Sequence, residues 1–501
     1  MTPTQPTGER PPLPTAAIAA FAAIVTAMAW VAHFAAPTDM HDHDQLKPAG
    51  YVLDIVRNGA WAAQTDFEGL PMSKPPLFPW LAAAIAKATG NVGDFEMYAP
   101  SGLSLLIAAA VTAMVARRWI GSTAALWTVL AFVLNPLITK HLCLARADAV
   151  FTGAIACAAW SLFRSIAARA DADRAAAGRW IIAFWLAATL AFLAKGPLGV
   201  LLAAGGAASL WWPKRWSRSL DNGDQPVTFD PIPAQPSWWA HALGAVVLLS
   251  IVGAWWLWAV KSGGQPLIDR IIGRELVGHT FGTHSSPPPF SRPYLSTAYF
   301  FARFAPWTIP VGIALVRIVV RPSSDARTRL AERFAWCWVV VGLVILSIPG
   351  HQRGDLLLPL WPAGALLAGQ QIARFWTRWN VSPKLNATAI AATIAVGVAG
   401  VWWWNSVGNL TKNEVRVSMA SETLAARARA IDPALPLSFD RSAWDMQWAC
   451  RTKQPNVDEW SLAPRPCWFF TRRPIVGTLP VDHANVSWGD GKGDVWLYRL
   501  D

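Results

Sequence analysis

His41-Asp42-His43-Asp44-Gln45-Leu46-Lys47 begins the polar loop between the first and second hydrophobic segments of this chain, and Ser73-Lys74-Pro75-Pro76-Leu77-Phe78-Pro79-Trp80 ends it. The loop combines a carboxylate with spaced lysines, and it cannot leave the membrane surface because an apolar segment lies on each side of it. Such groups suit chemistry on a phosphate carried by a lipid. Only Arg10 precedes the first segment and no small-residue cleavage pattern follows it, which predicts a retained anchor.

Two short helices are predicted inside this loop. The apolar face of the first consists of Leu46, Val52, Leu53 and Val56, and Asn58-Gly59 ends it. The second runs from Leu77 to Ala88, directly after the two prolines. Both helices are expected to lie along the membrane surface.

The composition predicts an all-α polytopic membrane protein. Of the 501 residues, 53% are hydrophobic and only 15% are charged, which excludes an ordinary soluble protein. About eleven apolar runs approach or reach the length that a bilayer requires. They fall near residues 14–36, 99–116, 122–139, 145–163, 179–194, 196–212, 238–260, 295–320, 334–349, 355–373 and 386–404.

The positive charges predict the orientation of the chain. The net charge of +12 does not indicate a nucleic-acid-binding protein, because the cations are concentrated in short connections between apolar runs. Positive-inside bias therefore predicts a cytoplasmic N-terminus and an outer C-terminus. The connections are Arg117-Arg118, residues 164–179, Lys214-Arg215, residues 317–333 and residues 374–384.

This orientation collects the ionisable residues of several segments on the outer side. They lie in the first loop (residues 37–98), at Lys140-His141, Arg146, Asp148 and Lys195, in residues 261–294 and 350–355, and in the tail. A charge at mid-membrane costs roughly 2.5 to 3.5 kcal/mol, so this concentration on one face predicts a single shared polar site.

The tail is predicted to form a small α/β domain of residues 405–501, beside a transmembrane domain of residues 1–404. A helical pattern runs from Glu414 to Ala430. Strand-like runs follow at Leu437 to Phe439, Cys467 to Thr471 and Val495 to Leu500. Cys450 and Cys467 are able to pair if the tail is outside.

Asp44 is the candidate catalytic base of the first loop. A sugar acceptor hydroxyl must lose a proton as it attacks an anomeric carbon, and a lone carboxylate in an aqueous vestibule can take that proton. Asp44 would equally well cap a helix that begins at Gln45. The two roles are compatible.

Several cations are candidates for a phosphate site. Lys47 and Lys74 would act as compact point charges, and the prolines after Lys74 stiffen the backbone that presents it. Lys195, in Lys195-Gly196-Pro197, either reaches the membrane interface or contributes to the same anionic site. Arg353 favours bidentate phosphate contact, with an interfacial anchor as its alternative role.

The remaining candidates have open roles. Arg146 and Asp148 form either a structural ion pair or part of the catalytic site, with Asp148 as a second acid. Glu275, His279 and His284 provide ligand types for a divalent metal, although their spacing matches no closed zinc pattern. Arg146, His351 and Glu275 are also candidates for binding or orienting an acceptor.

These motifs resemble those of the integral-membrane GT-C glycosyltransferases, related to the lipid A aminoarabinose transferases and the dolichyl-phosphate-mannose protein mannosyltransferases. Their first outer loop reads Asp-Glu-Ala-Arg-Tyr, then Gly-x-Trp, then Lys-Pro-Pro-Leu-x-x-Trp. The matching stretches here are Asp44 to Pro48, Gly59-Ala60-Trp61 and Lys74 to Trp80. The resemblance continues at Arg146-x-Asp148, Lys195-Gly196-Pro197, Trp255-Trp256 and Leu356 to Pro362, over about four fifths of the chain.

The resemblance implies an inverting transfer of a sugar from a polyprenyl-phosphate donor to an acceptor on the outer face. The leading hypothesis is a lipid or glycan acceptor (lipid A-like) on the outer face of a bacterial inner membrane. The resemblance makes Asp44 the essential acid, puts Lys47 and Lys74 on the donor phosphate, and makes Asp148 a second important acid. Gln45 replaces the family's second loop acid and Pro48 its tyrosine. The donor sugar and the acceptor therefore do not carry over.

Two other classes of function remain as alternatives. A flippase or transporter of a lipid-linked sugar would also need outward cations and aromatic walls, and additionally polar residues through the membrane depth. Few are found in the second, third, ninth and eleventh apolar runs, and no internal repeat supports an inverted-repeat transporter. A scaffold whose tail binds a partner would depend on residues 410–501 and not on Asp44.

Overall fold

The structure is a computed structural model that describes residues 13–35, 40, 43–212, 238–278, 288–408, 413–440, 443–454, 456–484 and 494–501. The candidate metal ligands His279 and His284 lie outside these ranges, as do Asp42 and Lys214-Arg215.

Helices dominate the described chain. They are α1 Thr15–Phe34, α2 His43–Asn58, α3 Leu77–Thr89, α4 Asp94–Trp119, α5 Ser122–Val133, α6 Pro136–Leu142, α7 Ala147–Ala170, α8 Arg174–Lys195, α9 Leu198–Ala204, α10 Trp238–Ile268, α11 Leu295–Arg303, α12 Thr308–Val320, α13 Ala326–Ser347, α14 Trp361–Arg378, α15 Pro383–Trp403, α16 Asn413–Ile431 and α17 Trp444–Ala449. Short 3-10 helices span Gly205–Trp211, Gly354–Leu360 and Trp460–Leu462, and π-helical turns span Asp269–Gly278 and Trp404–Gly408.

The predicted multi-pass membrane fold is confirmed. Within the described ranges, eight helical segments are long and apolar enough to cross a membrane, and the bent pair of α5 and α6 makes nine. Two of the expected segments, residues 196–212 and 295–320, form shorter helices instead. Gly196 (φ 86°) and Pro197 separate α8 from α9, and Pro306, which lacks an N–H group, lies between α11 and α12.

The α5–α6 bend has a local cause. The two helices meet at 66°, with Asn135-Pro136 at the junction. The Asn135 side chain accepts a hydrogen bond of 2.9 Å from the Leu137 N–H, which caps α6, and Pro136 is favoured at the first position of a helix. The bend brings His141, near the end of α6, toward the start of α7.

The basic connections meet at one end of the bundle. Glu332, fully buried there, binds Arg317 at 2.8 Å and Arg374 at 3.4 Å. Other contacts at this end join Leu13 to Ser122, Arg117 to Leu13, Thr328 to Trp119 and Arg327 to Asp171. The basic connections that fall within the described ranges, all assigned by the sequence to one side of the membrane, therefore lie together.

The first loop and the C-terminal domain share the opposite end. Lys453 binds Asp54, and the Asn456 side chain donates to the Phe67 carbonyl. Helices α2 and α3 form where the loop sequence predicts them, and each is followed by a glycine with positive φ, Gly59 (70°) and Gly90 (73°).

Helix α7 lies deep in the bundle. A Cβ atom on Gly153 would approach the Ser104 carbonyl oxygen of α4 to 2.7 Å, so the two helices pack closely there. The N-terminal end of α7 carries Arg146 as its cap residue and Asp148 in its first turn. Both side chains are consequently buried, which requires partners for their charges.

The C-terminal domain has the predicted α/β character. Its strands are β1 Leu437–Asp440, β2 Asn456–Val457, β3 Cys467–Thr471, β4 Asp482–Ala484 and β5 Val495–Leu500. They form one sheet of order β2-β1-β3-β5-β4, in which β1 is parallel to β2 and β3, and β5 is antiparallel to β3 and β4. Cys450 and Cys467 are both free thiols.

Candidate active site

Asp44 lies within the first turn of α2 and binds two arginines from distant segments. Its Oδ2 is 2.5 Å from Nη2 of Arg146 and 3.4 Å from Nη1 of Arg353. Because α2 begins at His43, Asp44 is inside the helix and is not the residue preceding it. A carboxylate in the first turn is still favoured by the positive end of the helix dipole.

Asp355 completes a ring of alternating charges with these three residues. Its Oδ2 is 3.5 Å from Arg146 and 3.8 Å from Arg353. We call Asp44, Arg146, Asp355 and Arg353 the charge ring. Arg146 and Asp355 form its buried side, with 10% and 13% of their side chains exposed, whereas Asp44 and Arg353 are 43% and 47% exposed. The ring therefore exposes one carboxylate, that of Asp44, and one guanidinium, that of Arg353, to solvent.

Burial raises the pKa of Asp44, but the charges of Arg146, Arg353 and Lys74 outweigh it and hold that pKa below the ordinary 3.8. Asp44 is consequently a carboxylate at neutral pH.

The ion pair between Arg146 and Asp148, one of the two alternatives for these residues, is not formed, because each binds a different partner. Asp148 binds Lys195, the last residue of α8, and both side chains are largely buried. Lys195 thus reaches inward to a carboxylate and does not extend to the membrane interface. The Asp148–Lys195 pair joins the beginning of α7 to the end of α8.

Lys74 lies in a solvent-accessible recess that protein atoms enclose. Within the described parts of the chain, no residue forms a hydrogen bond or ion pair with its ammonium group. Desolvation and then repulsion by Lys195 lower the pKa of Lys74 below the ordinary 10.5, and Asp148, Glu275 and Asp44 offset only part of this. The recess therefore holds a cation whose charge is not locally neutralised, between the charge ring and the Asp148–Lys195 pair.

The other predicted residues occupy less defined positions. Lys47 follows Asp44 by about one turn of α2 and is half-buried. Glu275 lies close enough to Lys74 to act on its charge, and His351 lies two residues before Arg353. Among the described residues, no group of three or more metal-ligating side chains occurs. The metal site remains a prediction, since two of its three candidate ligands fall outside the described ranges.

His141 and Asp355 were predicted to lie on the same outer face, but the sequence indicated no specific partner in the site for either of them. His141 is fully buried, and its Nδ1 donates to the Leu137 carbonyl at 2.7 Å, so Nε2 carries the lone pair. In the described structure Nε2 has no hydrogen-bond partner, and the carboxylates of Asp148 and Asp355 are near enough to act on the ring. The Asn135-Pro136 helix start was the available signal, because it turns α6 toward the site.

Comparison with known proteins relates the fold of this chain to that of membrane glycosyltransferases. Residues 73–223 match the dolichyl-phosphate-mannose-protein mannosyltransferase family, in a region that begins beside Lys74. No curated protein sequence matches the chain.

The solved structures extend the similarity to nearly the whole chain. ArnT from Cupriavidus metallidurans bound to undecaprenyl phosphate superposes with a TM-score of 0.73 at 18% identity, covering 97% of this chain and 98% of that one. Its apo state gives 0.69 at 18% identity, covering 96% and 98%. The apo oligosaccharyltransferase of Archaeoglobus fulgidus gives 0.50 at 9% identity, covering 87% and 64%. The predicted resemblance is confirmed: the chain has the fold of ArnT, a GT-C membrane glycosyltransferase, over almost its entire length.

Proposed function

We propose that this protein is an inverting membrane glycosyltransferase that transfers a sugar from a polyprenyl-phosphate donor to a lipid or glycan acceptor. The observation that carries the proposal is the ammonium of Lys74, which has no hydrogen-bond or ion-pair partner within the described structure and lies within electrostatic reach of the carboxylate of Asp44. A cation whose charge is only partly neutralised by its surroundings favours binding of an anion. A phosphodiester supplies that anion, and the neighbouring carboxylate supplies a base for the incoming nucleophile.

The reaction exchanges one bond at the anomeric carbon for another. The acceptor oxygen forms a bond to the anomeric carbon from one face, while the bond to the donor phosphate oxygen breaks on the other, so the configuration inverts. The acceptor proton passes to Asp44. Polyprenyl phosphate leaves with one additional negative charge, which Lys74 and Arg353 stabilise, with Lys47 and Lys195 as further donor-binding cations.

The charge ring explains how a carboxylate of low pKa can act as a base. In the ligand-free protein Asp44 neutralises part of Arg146 and Arg353. A bound phosphodiester competes for Arg353 and Lys74, which weakens their hold on Asp44 and raises its basicity. Donor binding thereby prepares Asp44 for the proton. Asp148 would support the same site as a second acid, and Arg146, Glu275 and His351 would orient the acceptor.

The acceptor and the location follow from the same proposal. The site and the C-terminal domain would face the periplasm and the N-terminus the cytoplasm, because the arginine-rich connections meet at the opposite end of the bundle. A lipid A-like glycolipid is the proposed acceptor class. The division at residues 404 and 405 stays a prediction.

Envelope lipids provide the first test. A strain that lacks the protein should lose one glycosylated species, and mass spectrometry of that strain and of the strain with the protein restored identifies the sugar and its acceptor. Proteoliposomes that contain this donor and acceptor should then transfer the sugar without net movement of the donor across the bilayer. Net translocation without transfer would instead support the flippase.

Undecaprenyl phosphate binding should weaken at alkaline pH, because the pKa of Lys74 lies below the ordinary 10.5 and the ammonium loses its charge as the pH rises through that pKa. The second ionisation of a phosphate monoester, near pH 6, is complete by about pH 8, so titration above that pH isolates the protein's contribution. Affinity should fall as the pH rises through the lowered pKa of Lys74. Lys74→Arg should remove this fall, since a guanidinium stays charged.

Lys87→Arg is the matched control for this titration. Lys87 belongs to α3, and its Nζ lies 5.5 Å from the centroid of the Trp61 ring, outside the recess. The Lys87→Arg variant should keep the loss of affinity at alkaline pH. Unchanged affinity of Lys74→Met for undecaprenyl phosphate at pH 8 would contradict the assignment of Lys74 to the phosphate.

A further inference from the structure

Lys453 joins the C-terminal domain to the first loop. Its Nζ lies 3.1 Å from Oδ1 of Asp54, 2.8 Å from the Thr65 carbonyl oxygen and 2.5 Å from Oγ1 of Thr65. The Lys453 and Asp54 side chains are only 11% and 8% exposed. An ammonium group has three donors, and these acceptors occupy all of them. Lys453 therefore has no donor left for a ligand.

Asp54 connects this lysine to two parts of the first loop. Its Oδ2 accepts from the Thr65 N–H at 2.8 Å and from the Thr65 hydroxyl at 2.9 Å. Its Oδ1 accepts from the Asn58 amide at 2.8 Å. Since Asp54 belongs to α2, these bonds tie the helix that carries Asp44 to the chain that leads to Lys74.

The segment between Thr65 and Lys74 is compact. The Met72 N–H donates to the Gln64 carbonyl at 2.8 Å, and the Asp66 N–H donates to the Leu70 carbonyl at 2.9 Å. The Asp66 carboxylate also accepts from the N–H groups of Glu68 and Leu70. Because these bonds fold the segment back on itself, a shift of Thr65 is passed to Met72 and so to Lys74.

A second contact with the C-terminal domain supports the same segment. The Asn456 side chain donates to the Phe67 carbonyl at 2.9 Å, and the Phe67 and Trp444 rings lie 6.2 Å apart. On the other side of the segment, a Cβ atom on Gly50 would come within 2.9 Å of the Phe67 nitrogen, so α2 packs directly against it. The segment is thus held between α2 and the C-terminal domain.

We infer that Lys453 is a positioning residue that fixes α2 against residues 64–72 and thereby sets the distance between Asp44 and Lys74. The inference rests on the proposed function, in which those two groups act on one donor. Desolvation lowers the pKa of Lys453 and Asp54 restores only part of it, so the buried ammonium is kept at an energetic cost. The charged network, and not packing alone, keeps the loop in place.

The experiment uses the full-length protein with Lys453→Met, which keeps the bulk of the side chain and removes the charge. Hydrogen exchange of residues 60–76 should accelerate, and affinity for undecaprenyl phosphate or kcat/KM for the lipid donor should fall about 10- to 100-fold, as expected for displaced reacting groups. Lys453→Arg, which retains the charge, should recover most of both. Arg427→Met, which breaks the Arg427–Asp482 pair on the same domain, is the matched control and should change neither.

The two readouts separate the inference from the function on which it rests. If Lys453→Met leaves exchange of residues 60–76 unchanged, or accelerates it without weakening donor binding, the positioning role is wrong. An equal loss in Arg427→Met would likewise overturn it, because the effect would then belong to the domain as a whole. If the wild-type protein binds no polyprenyl phosphate, the proposed function fails, while hydrogen exchange still reports whether Lys453 orders the loop.

Discussion

Asp44→Asn is expected to lower the rate of sugar transfer about a hundredfold or more while the protein folds and inserts normally. The substitution keeps the size of the side chain and removes both its negative charge and its ability to accept the acceptor proton. It also leaves Arg146 and Arg353 without one of their two carboxylates, so polyprenyl phosphate binding should be retained or strengthened. Transfer in membranes with defined donor, together with binding of undecaprenyl phosphate, measures the two effects separately.

Glu68→Gln is the matched control for Asp44→Asn. Glu68 is an exposed carboxylate of the same loop. The Glu68→Gln variant should transfer the sugar at the wild-type rate. Full activity of Asp44→Asn would remove Asp44 from the mechanism, and loss of both transfer and binding would indicate a structural role for the carboxylate.

Asp148→Asn is expected to destabilise the protein by about 3 to 5 kcal/mol, the usual consequence of leaving one member of a buried ion pair without its partner. The ammonium of Lys195 would then lie beside Lys74 with no neutralising charge. The thermal unfolding midpoint in detergent should fall clearly below that of the wild type.

The double variant Asp148→Asn/Lys195→Met separates stability from chemistry. Removing both charges should restore the unfolding midpoint, because no buried charge is left unpaired. Transfer should stay well below wild type, since both charged groups lie beside the ammonium of Lys74. Recovery of full transfer in the double variant would show that the pair is only structural.

The ion pairs of the site were harder to predict than its members. Charge sorting along the chain indicated that Asp44, Lys74, Asp148, Lys195 and Arg353 lie at one end of the bundle, and the structure brings them together. The partners were not predictable, because Arg146 and Arg353 are separated from Asp44 by 102 and 309 residues. Arg146 and Asp148 are two positions apart at the start of a helix, where side chains do not face each other.

In the transmembrane domain, the apolar runs predict where the helices lie but not where they are interrupted. Within the described residues, a predicted hydrophobic run overlaps each helix that is long and apolar enough to cross a membrane, but a run does not tell whether its helix is continuous. Pro136, Pro197 and Pro306 mark three interruptions that shorten or bend the helices. In the C-terminal domain the three longer strands were predictable from short apolar runs. The contact of Lys453 with Asp54 was not predictable, since it depends on how the C-terminal domain meets the first loop.

The members of the charge ring are synthesised at widely separated times. Asp44 belongs to the first loop, Arg146 follows after four further helices, and Arg353 with Asp355 comes from the last third of the sequence. Synthesis and membrane insertion proceed from the N-terminus, so Asp44, which is partly exposed to water, is synthesised before Arg146, whose charge is costly to bury without a partner. The ring closes only when nearly all of the membrane segments have been inserted, so a shortened chain carries the first loop but lacks the arginine that completes its ring.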